Sequence, residues 1–245
     1  MNKIISILTV WAACVSLALA APSAAESTGK PKRLVLIGAS IGQAWDLPGL
    51  PTRVKLSGYE MEALQAWQYD KSELLDETLM RPTRKFRFSP GYVKGLFSSA
   101  PRPADVVVLK ECSSYFPGEL PIERKKQLMQ SWITEVKAKK IKVMLATAVP
   151  VTKARSTQDP DKQASVLAFN DWIRDYARQN NIVLIDLEAA LRTDERERYL
   201  RDEFTNGDGS HINRKAYDVL DNVMVEALCR IDAGVNCGPI HAATR

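Results

Sequence analysis

The sequence predicts an α/β domain with a mostly parallel sheet covered by helices on both faces. Two observations carry this. Short, uninterrupted apolar runs alternate along the chain with longer amphipathic stretches, and one run, Val106-Val107-Val108-Leu109, reads as a strand buried on both sides. Segments in that β-α-β order are joined by right-handed crossovers, which make the strands parallel and put helices on either face.

Residues 33–37 are expected as the first buried strand, and Leu47-Pro48-Gly49-Leu50-Pro51 as a rigid loop. Residues 60–67 are read as the second strand and residues 72–79 as a helix stopped by Pro82. Residues 105–109 form the third strand. Pro121 opens a helix through about Lys139, with Leu128, Trp132 and Val136 at helical spacing. Residues 141–146 are another buried strand, ending before Pro150. Residues 161–179 are helical, with Leu167, Ile173, Tyr176 and Ala177 as the apolar stripe and Asn180-Asn181 as the stop. Residues 182–187 form a further strand. The last helix runs over residues 214–229, capped by Asn213, with Tyr217, Leu220 and Met224 facing inward.

Residues 1–25 have the pattern of a secretory leader: Lys3, an apolar stretch to Leu19, and small-residue cleavage sites at Ala18-Leu19-Ala20 and Ser23-Ala24-Ala25. A polar linker (26–32), the domain (33–230) and a short C-terminal tail (231–245) follow. About 220 residues thus remain for one domain with a sizeable core. The implied location is secreted or periplasmic, without stable membrane insertion after processing. The formal net charge is +5, but Lys and Arg are dispersed among acids, so nucleic-acid binding gains no support. Of the four cysteines Cys14 falls in the leader; of the other three, Cys229 and Cys237 are spaced to close a small loop in an oxidising compartment, leaving Cys112 unpaired. No CxxC or histidine cluster suggests a metal, and no cofactor is expected.

The chemistry-bearing pattern is Gly38-Ala39-Ser40-Ile41-Gly42 after the first strand and Asp208-Gly209-Ser210-His211 before the last helix. A serine hydroxyl becomes a useful nucleophile when an imidazole takes its proton. A carboxylate that holds the imidazole's tautomer completes the device. The chain has only two histidines; His241 sits in the tail, and His211 stands three residues after an aspartate. Parallel sheets gather ligands at the carboxyl ends of their strands, so Ser40, the loops after Leu109 and Ala146, and the His211 loop are expected on one edge. Trp45, Trp67 and Tyr115 are candidates for the walls of a cleft there. Placement argues against the nucleophile elbow of α/β-hydrolases, because almost nothing of the mature chain precedes Ser40 and the acid and base are adjacent. A dinucleotide turn is excluded by the missing third glycine, since Ala44-Trp45 follow Gln43.

On these residues the chain resembles the SGNH, or GDSL-like, hydrolase superfamily. Ser40 matches the first block and Asp208-x-x-His211 the last. Phe169-Asn170-Asp171-Trp172 through Val183-Leu184-Ile185-Asp186-Leu187 is similar to the family's penultimate helix and strand. The resemblance spans residues 33–229. It implies a flavodoxin-like three-layer α/β/α sandwich with a five-stranded parallel sheet. It also implies hydrolysis of carboxylic esters of lipids, sugars or small alcohols, with Ser40 as nucleophile, His211 as base and Asp208 as orienter.

Three positions depart from the family. Ala39 stands where it usually has Asp. Lys110-Glu111-Cys112-Ser113-Ser114 follows the third strand without the oxyanion-binding Asn, and Tyr69-Asp70-Lys71-Ser72 follows the second without the Gly. The Ser40 N–H is expected to remain one donor, with a backbone N–H near Lys71 or the cationic head of Lys71 or Lys110 supplying another, and Glu111 orienting substrate or pairing with Lys71 or Arg84. A buried ion pair at the strand end is the alternative for Glu111. The alternative for the whole chain is a catalytically weak or inactive binding or accessory protein of the cell envelope on the same scaffold.

Overall fold

Leu34, Val35, Leu36 and Ile37 are each fully buried, because the strand they form lies inside a sheet with helices on both faces. The computed structural model describes residues 30–81, 102–232 and 235. Its five strands are β1 (Lys32–Gly38), β2 (Tyr59–Gln65), β3 (Val106–Lys110), β4 (Lys142–Ala146) and β5 (Val183–Ile185). They run in the order β2-β1-β3-β4-β5 with every pair parallel. Gly38 is in register with Gln65 and Ile37 with Leu109, so β1, β2 and β3 end level with one another. The chain moves outward to β2 on one side of β1 and to β3 on the other. The crevice between those two departures, at the strands' carboxyl ends, is where such sheets hold ligands.

Alternate strand residues feed two separate cores. Leu34, Leu36, Val106, Val108 and Met144 pack with Trp45, with Leu187 and Leu191 of α7 (Leu187–Leu191), and with Tyr217, Leu220 and Met224 of α8 (Arg214–Ile231). Val35, Ile37, Val107, Leu109 and Leu145 meet Leu75 of α3 (Ser72–Thr78) and Met129, Trp132 and Val136 of α4 (Ile122–Ala138). The same core takes Val166, Phe169, Ile173 and Ala177 of α6 (Pro160–Gln179). The short helices α1 (Ser40–Ala44), α2 (Leu50–Arg53) and α5 (Lys153–Gln158) sit in loops at the strands' carboxyl ends or close behind them.

The expected α/β/α architecture is therefore present, with local differences. The stretch expected as a loop at 47–51 turns into α2 at Leu50, with Pro51 in its first turn, where a missing N–H costs nothing. The stripe on α6 centres on Val166, Phe169, Ile173 and Ala177, and Leu167 and Tyr176 are only half-buried at its margin. The stripe is hard to read because two of its buried positions are polar. Gln163 donates to the Arg198 carbonyl (3.0 Å), and Asn170 exchanges two 2.8 Å bonds with the backbone of Ala148. Asn213 caps α8 through the Ala216 N–H, as its sequence position suggests.

Cys112 is a buried free thiol, and Cys229 is disulfide-bonded. Its expected partner Cys237, the leader at 1–25, Pro82 and His241 lie outside the described residues. Among the described residues no helix is long and apolar enough to cross a membrane.

Candidate active site

Ser40 is positioned by the end of β1. Ala39 is extended, and Ser40 begins α1, so its N–H belongs to a first turn, where amides have no partner within the helix. Close packing explains the glycine two residues on. A Cβ on Gly42 would come within 2.6 Å of Leu36 Cδ2, so α1 can lie on β1 only without a side chain there. Gly38 is likewise close-packed, its Cβ position 3.0 Å from Leu36 Cδ2, and neither glycine has positive φ.

The Asp208–His211 loop is pinned at both ends. Thr205 and Ile212 form an antiparallel bridge, and the Thr152 N–H donates to the Gly209 carbonyl (3.0 Å). Gly207 and Gly209 take φ values of 107° and 76°, a left-handed backbone that disfavours other residues. This winding folds Asp208 back over its own loop. One carboxylate oxygen accepts from the N–H groups of Ser210 (2.8 Å) and His211 (2.7 Å), while the other lies 2.5 Å from His211 Nδ1. His211 Nε2 lies 2.9 Å from Ser40 Oγ.

An ionised carboxylate only accepts, so Nδ1 carries the proton and Nε2 presents its lone pair to the serine hydroxyl. Partial burial raises the Asp208 pKa, but the two backbone N–H groups and the imidazole outweigh it and bring it to about 2. Asp208 thus stays charged at any pH well above that value. An arrangement of this kind can take the proton from an attacking alcohol and return it to a leaving one.

The Ser40 hydroxyl opens into a cleft of about 530 Å³. Gln65 at the end of β2, Ala66 and Trp67 beyond it, and Cys112 to Tyr115 beyond β3 form part of its wall, and Arg155 and Lys162 beyond β4 form another. Trp67 is 85% exposed at the rim, and Tyr115 is held by its hydroxyl donating to the Ala66 carbonyl (2.8 Å). Trp45 was expected here too, but it is buried in the core behind the site, where its indole N–H donates to Asp221 (2.8 Å).

Lys71, Lys110 and Glu111 are the clearest correction. All three are fully buried and none lines the cleft. Lys71 Nζ donates to both Glu111 oxygens (2.7 and 2.8 Å) and to the Tyr69 carbonyl (3.2 Å), lying over the rings of Tyr69, Tyr115 and Trp132. Burial pushes the Glu111 carboxyl up and the Lys71 ammonium opposes it. Lys110 Nζ donates to the Glu111 carbonyl (2.7 Å), and burial pushes its pKa down. The group is an ionic support beneath the Cys112–Tyr115 turn, the alternative the sequence left open for Glu111.

The sequence reading missed three side chains of the cleft: Ser113, Arg155 and Lys162. Ser113 is 4% exposed, faces the cleft, and its hydroxyl takes no protein partner among the described residues. It sits in the turn after β3, so the rule that sites gather at strand carboxyl ends was the signal available. No group of His, Cys, Asp or Glu side chains among the described residues is arranged to hold a metal ion.

No family model matches the chain, and no curated protein is similar to it in sequence. Solved structures are similar in fold. A GDSL-like lipase from Bacteroides thetaiotaomicron superposes with a TM-score of 0.61 at 19% identity, covering 82% of this chain and 89% of its own. The lipase/acylhydrolase from Enterococcus faecalis gives 0.56 at 18% identity, over 80% and 95%. An acetyl xylan esterase gives 0.55 at 19% identity, over 80% and 99%. The chain has the three-layer fold of the GDSL-like hydrolases over nearly its whole described length.

Proposed function

We propose that the chain is an exported serine-dependent hydrolase of carboxylic esters. One observation carries this reading: Asp208, His211 and Ser40 form an unbroken hydrogen-bonded series whose last oxygen opens into a cleft. Ser40 Oγ attacks the ester carbonyl as His211 Nε2 takes its proton. The tetrahedral intermediate collapses as the imidazolium gives that proton to the departing alcohol, leaving an acyl group on Ser40. Water, deprotonated by the same nitrogen, then releases the acid and restores the hydroxyl.

The negative oxygen formed on attack needs donors. The Ser40 N–H is one. The family's asparagine and glycine are missing, and among the residues that line the cleft we take the Ser113 hydroxyl and the Trp67 N–H as the donors in their stead. The latter takes no backbone partner among the described residues, whereas the neighbouring Ala66 N–H is used by the Gly38 carbonyl (2.5 Å). The fold's solved relatives include a lipase and an acetyl xylan esterase by name, which favours acyl esters of lipids or sugars as substrates. The leader pattern at 1–25 supports export, and the mature chain then begins after Ala20 or Ala25.

Loss of the asparagine favours a second reading, a binding or accessory protein of the cell envelope with little turnover. Hydrolysis of p-nitrophenyl acetate separates the two. The enzyme reading expects turnover that Ser40→Ala abolishes, and equal rates for both proteins would defeat it.

A further inference from the structure

The cleft is chemically lopsided. Toward β2 and β3 its wall is Gln65, Ala66, Trp67 and Cys112 to Tyr115, a surface with no charged side chain. Toward β4 it is Arg155 and Lys162. Arg155 is tied to the catalytic loop by packing: a Cβ placed on Gly209 would lie 3.0 Å from Arg155 Cβ. One arm of its guanidinium donates to Gln158 (3.0 Å), but Nε is buried and finds no acceptor. Nε is too buried to be met from the cleft, but Nη2 takes no acceptor among the described residues and leaves the guanidinium able to meet one that enters. Lys162 stands beside it with its Nζ 3.1 Å from Asp159. Asp159 offsets part of the charge of both Lys162 and Arg155, and among the described residues no carboxylate forms an ion pair with the Arg155 guanidinium.

The direction of acyl transfer decides which part of a substrate meets this wall. The imidazolium returns its proton to the leaving oxygen, so the alcohol portion lies on the His211 side. Arg155 packs on the same loop, two residues away at Gly209. The acyl portion then lies toward Ala66 and Trp67.

We propose that the cleft selects esters whose alcohol portion carries an anionic oxygen group, carboxylate or phosphate, seated on Arg155 and Lys162, with an uncharged acyl group on the opposite wall. This deepens the ester-hydrolase reading and rests on it. Arginine suits the task because its planar fork meets such groups with two parallel N–H bonds.

The test compares three acetate esters: 4-acetoxybenzoate, 4-acetoxyphenyl phosphate and the uncharged methyl 4-acetoxybenzoate. Each is assayed with the wild type, Arg155→Gln and Lys162→Gln. Gln keeps the Cβ and Cγ that pack on Gly209, so the loop retains its support. The wild type is expected to favour an anionic ester, and Arg155→Gln to lower the anionic-to-neutral ratio of kcat/KM by about tenfold, as for loss of a charge-assisted bond. Lys162→Gln lowers it less, and added salt lowers it in the wild type. Whichever anionic ester loses more identifies the carboxylate or the phosphate as the preferred group.

A ratio that Arg155→Gln leaves unchanged overturns the proposal. If none of the esters is cleaved, the hydrolase reading fails, and calorimetric binding of phenyl phosphate still decides the anion site. Binding weakened about tenfold by Arg155→Gln supports it, and equal affinity in the two proteins overturns it.

Discussion

His211 Nε2 lies 2.9 Å from Ser40 Oγ although 171 residues separate the two along the chain. No local interaction brings them together. Ser40 is delivered by the end of a central strand, and His211 by a loop pinned between the Thr205–Ile212 bridge and the Thr152 backbone. The contact is therefore a property of the sheet's topology, and variants that disturb either support should act on rate before they act on stability.

Gly209 is the sharpest case. A methyl group there would lie 2.8 Å from Thr152 Oγ1 and 3.0 Å from Arg155 Cβ, on a backbone with φ of 76°. Gly209→Ala is expected to shift the imidazole and lower kcat/KM at least about tenfold, since small displacements of a catalytic group are costly. Gly207→Ala meets open space, suffers only the strain of its φ of 107°, and should lose less. Steady-state kinetics of the two variants check the order, and a smaller loss at Gly209 than at Gly207 contradicts it.

Ser113 should matter only once the oxyanion forms. Ser113→Ala is expected to lower kcat by about 100-fold, the usual cost of one oxyanion donor, with KM little changed. A loss confined to KM would instead make Ser113 a substrate-binding group.

The Asp208 carboxyl, held at about 2, sets the form of the pH profile. Its pKa is lower in the folded chain than its ordinary 3.8, so its contribution to stability is complete above about pH 4 and lost as pH falls through about 2. Above about pH 4 the Asp208 carboxylate stays ionised. The logarithm of kcat/KM should thus fall with acidification along a limb of slope one, as His211 gains its proton. A slope of two would mean that a second group in the site titrates there.

The buried pair under the cleft predicts a stability effect. Glu111→Gln leaves the Lys71 ammonium fully buried without its counter-charge, and unfolding free energy should drop by about 3–5 kcal/mol. The double variant Lys71→Met/Glu111→Leu removes both charges and should recover most of that loss. Denaturant titration measures both, and an undiminished loss in the double variant would show that the charges themselves support the Cys112–Tyr115 turn.

The fold was legible in the sequence because buried parallel strands leave uninterrupted apolar runs, and Ser40, Asp208 and His211 because their chemistry is written in short local patterns. Lys71, Lys110 and Glu111 were misplaced for two physical reasons. The second strand stops at Gln65, where its pairing with Gly38 ends, so the cleft wall is Gln65 to Trp67 and Lys71 falls behind it. Strand alternation also continues past β3: Glu111 follows Val107 and Leu109 toward the helix layer that holds Trp132. Counting by twos from Val107 would have turned Glu111 away from the site. Arg155 and Lys162 stand on two helices after Pro150, of which only the second was read, and neither residue has a motif that marks it.

Fluorophosphonate labelling, followed by mapping of the modified peptide, tests the central relationship most directly. It should attach one label, on Ser40, in the wild-type protein, fall sharply in His211→Ala, and vanish in Ser40→Ala. A correctly folded wild-type protein that takes no label, or takes it at another residue, would contradict the account.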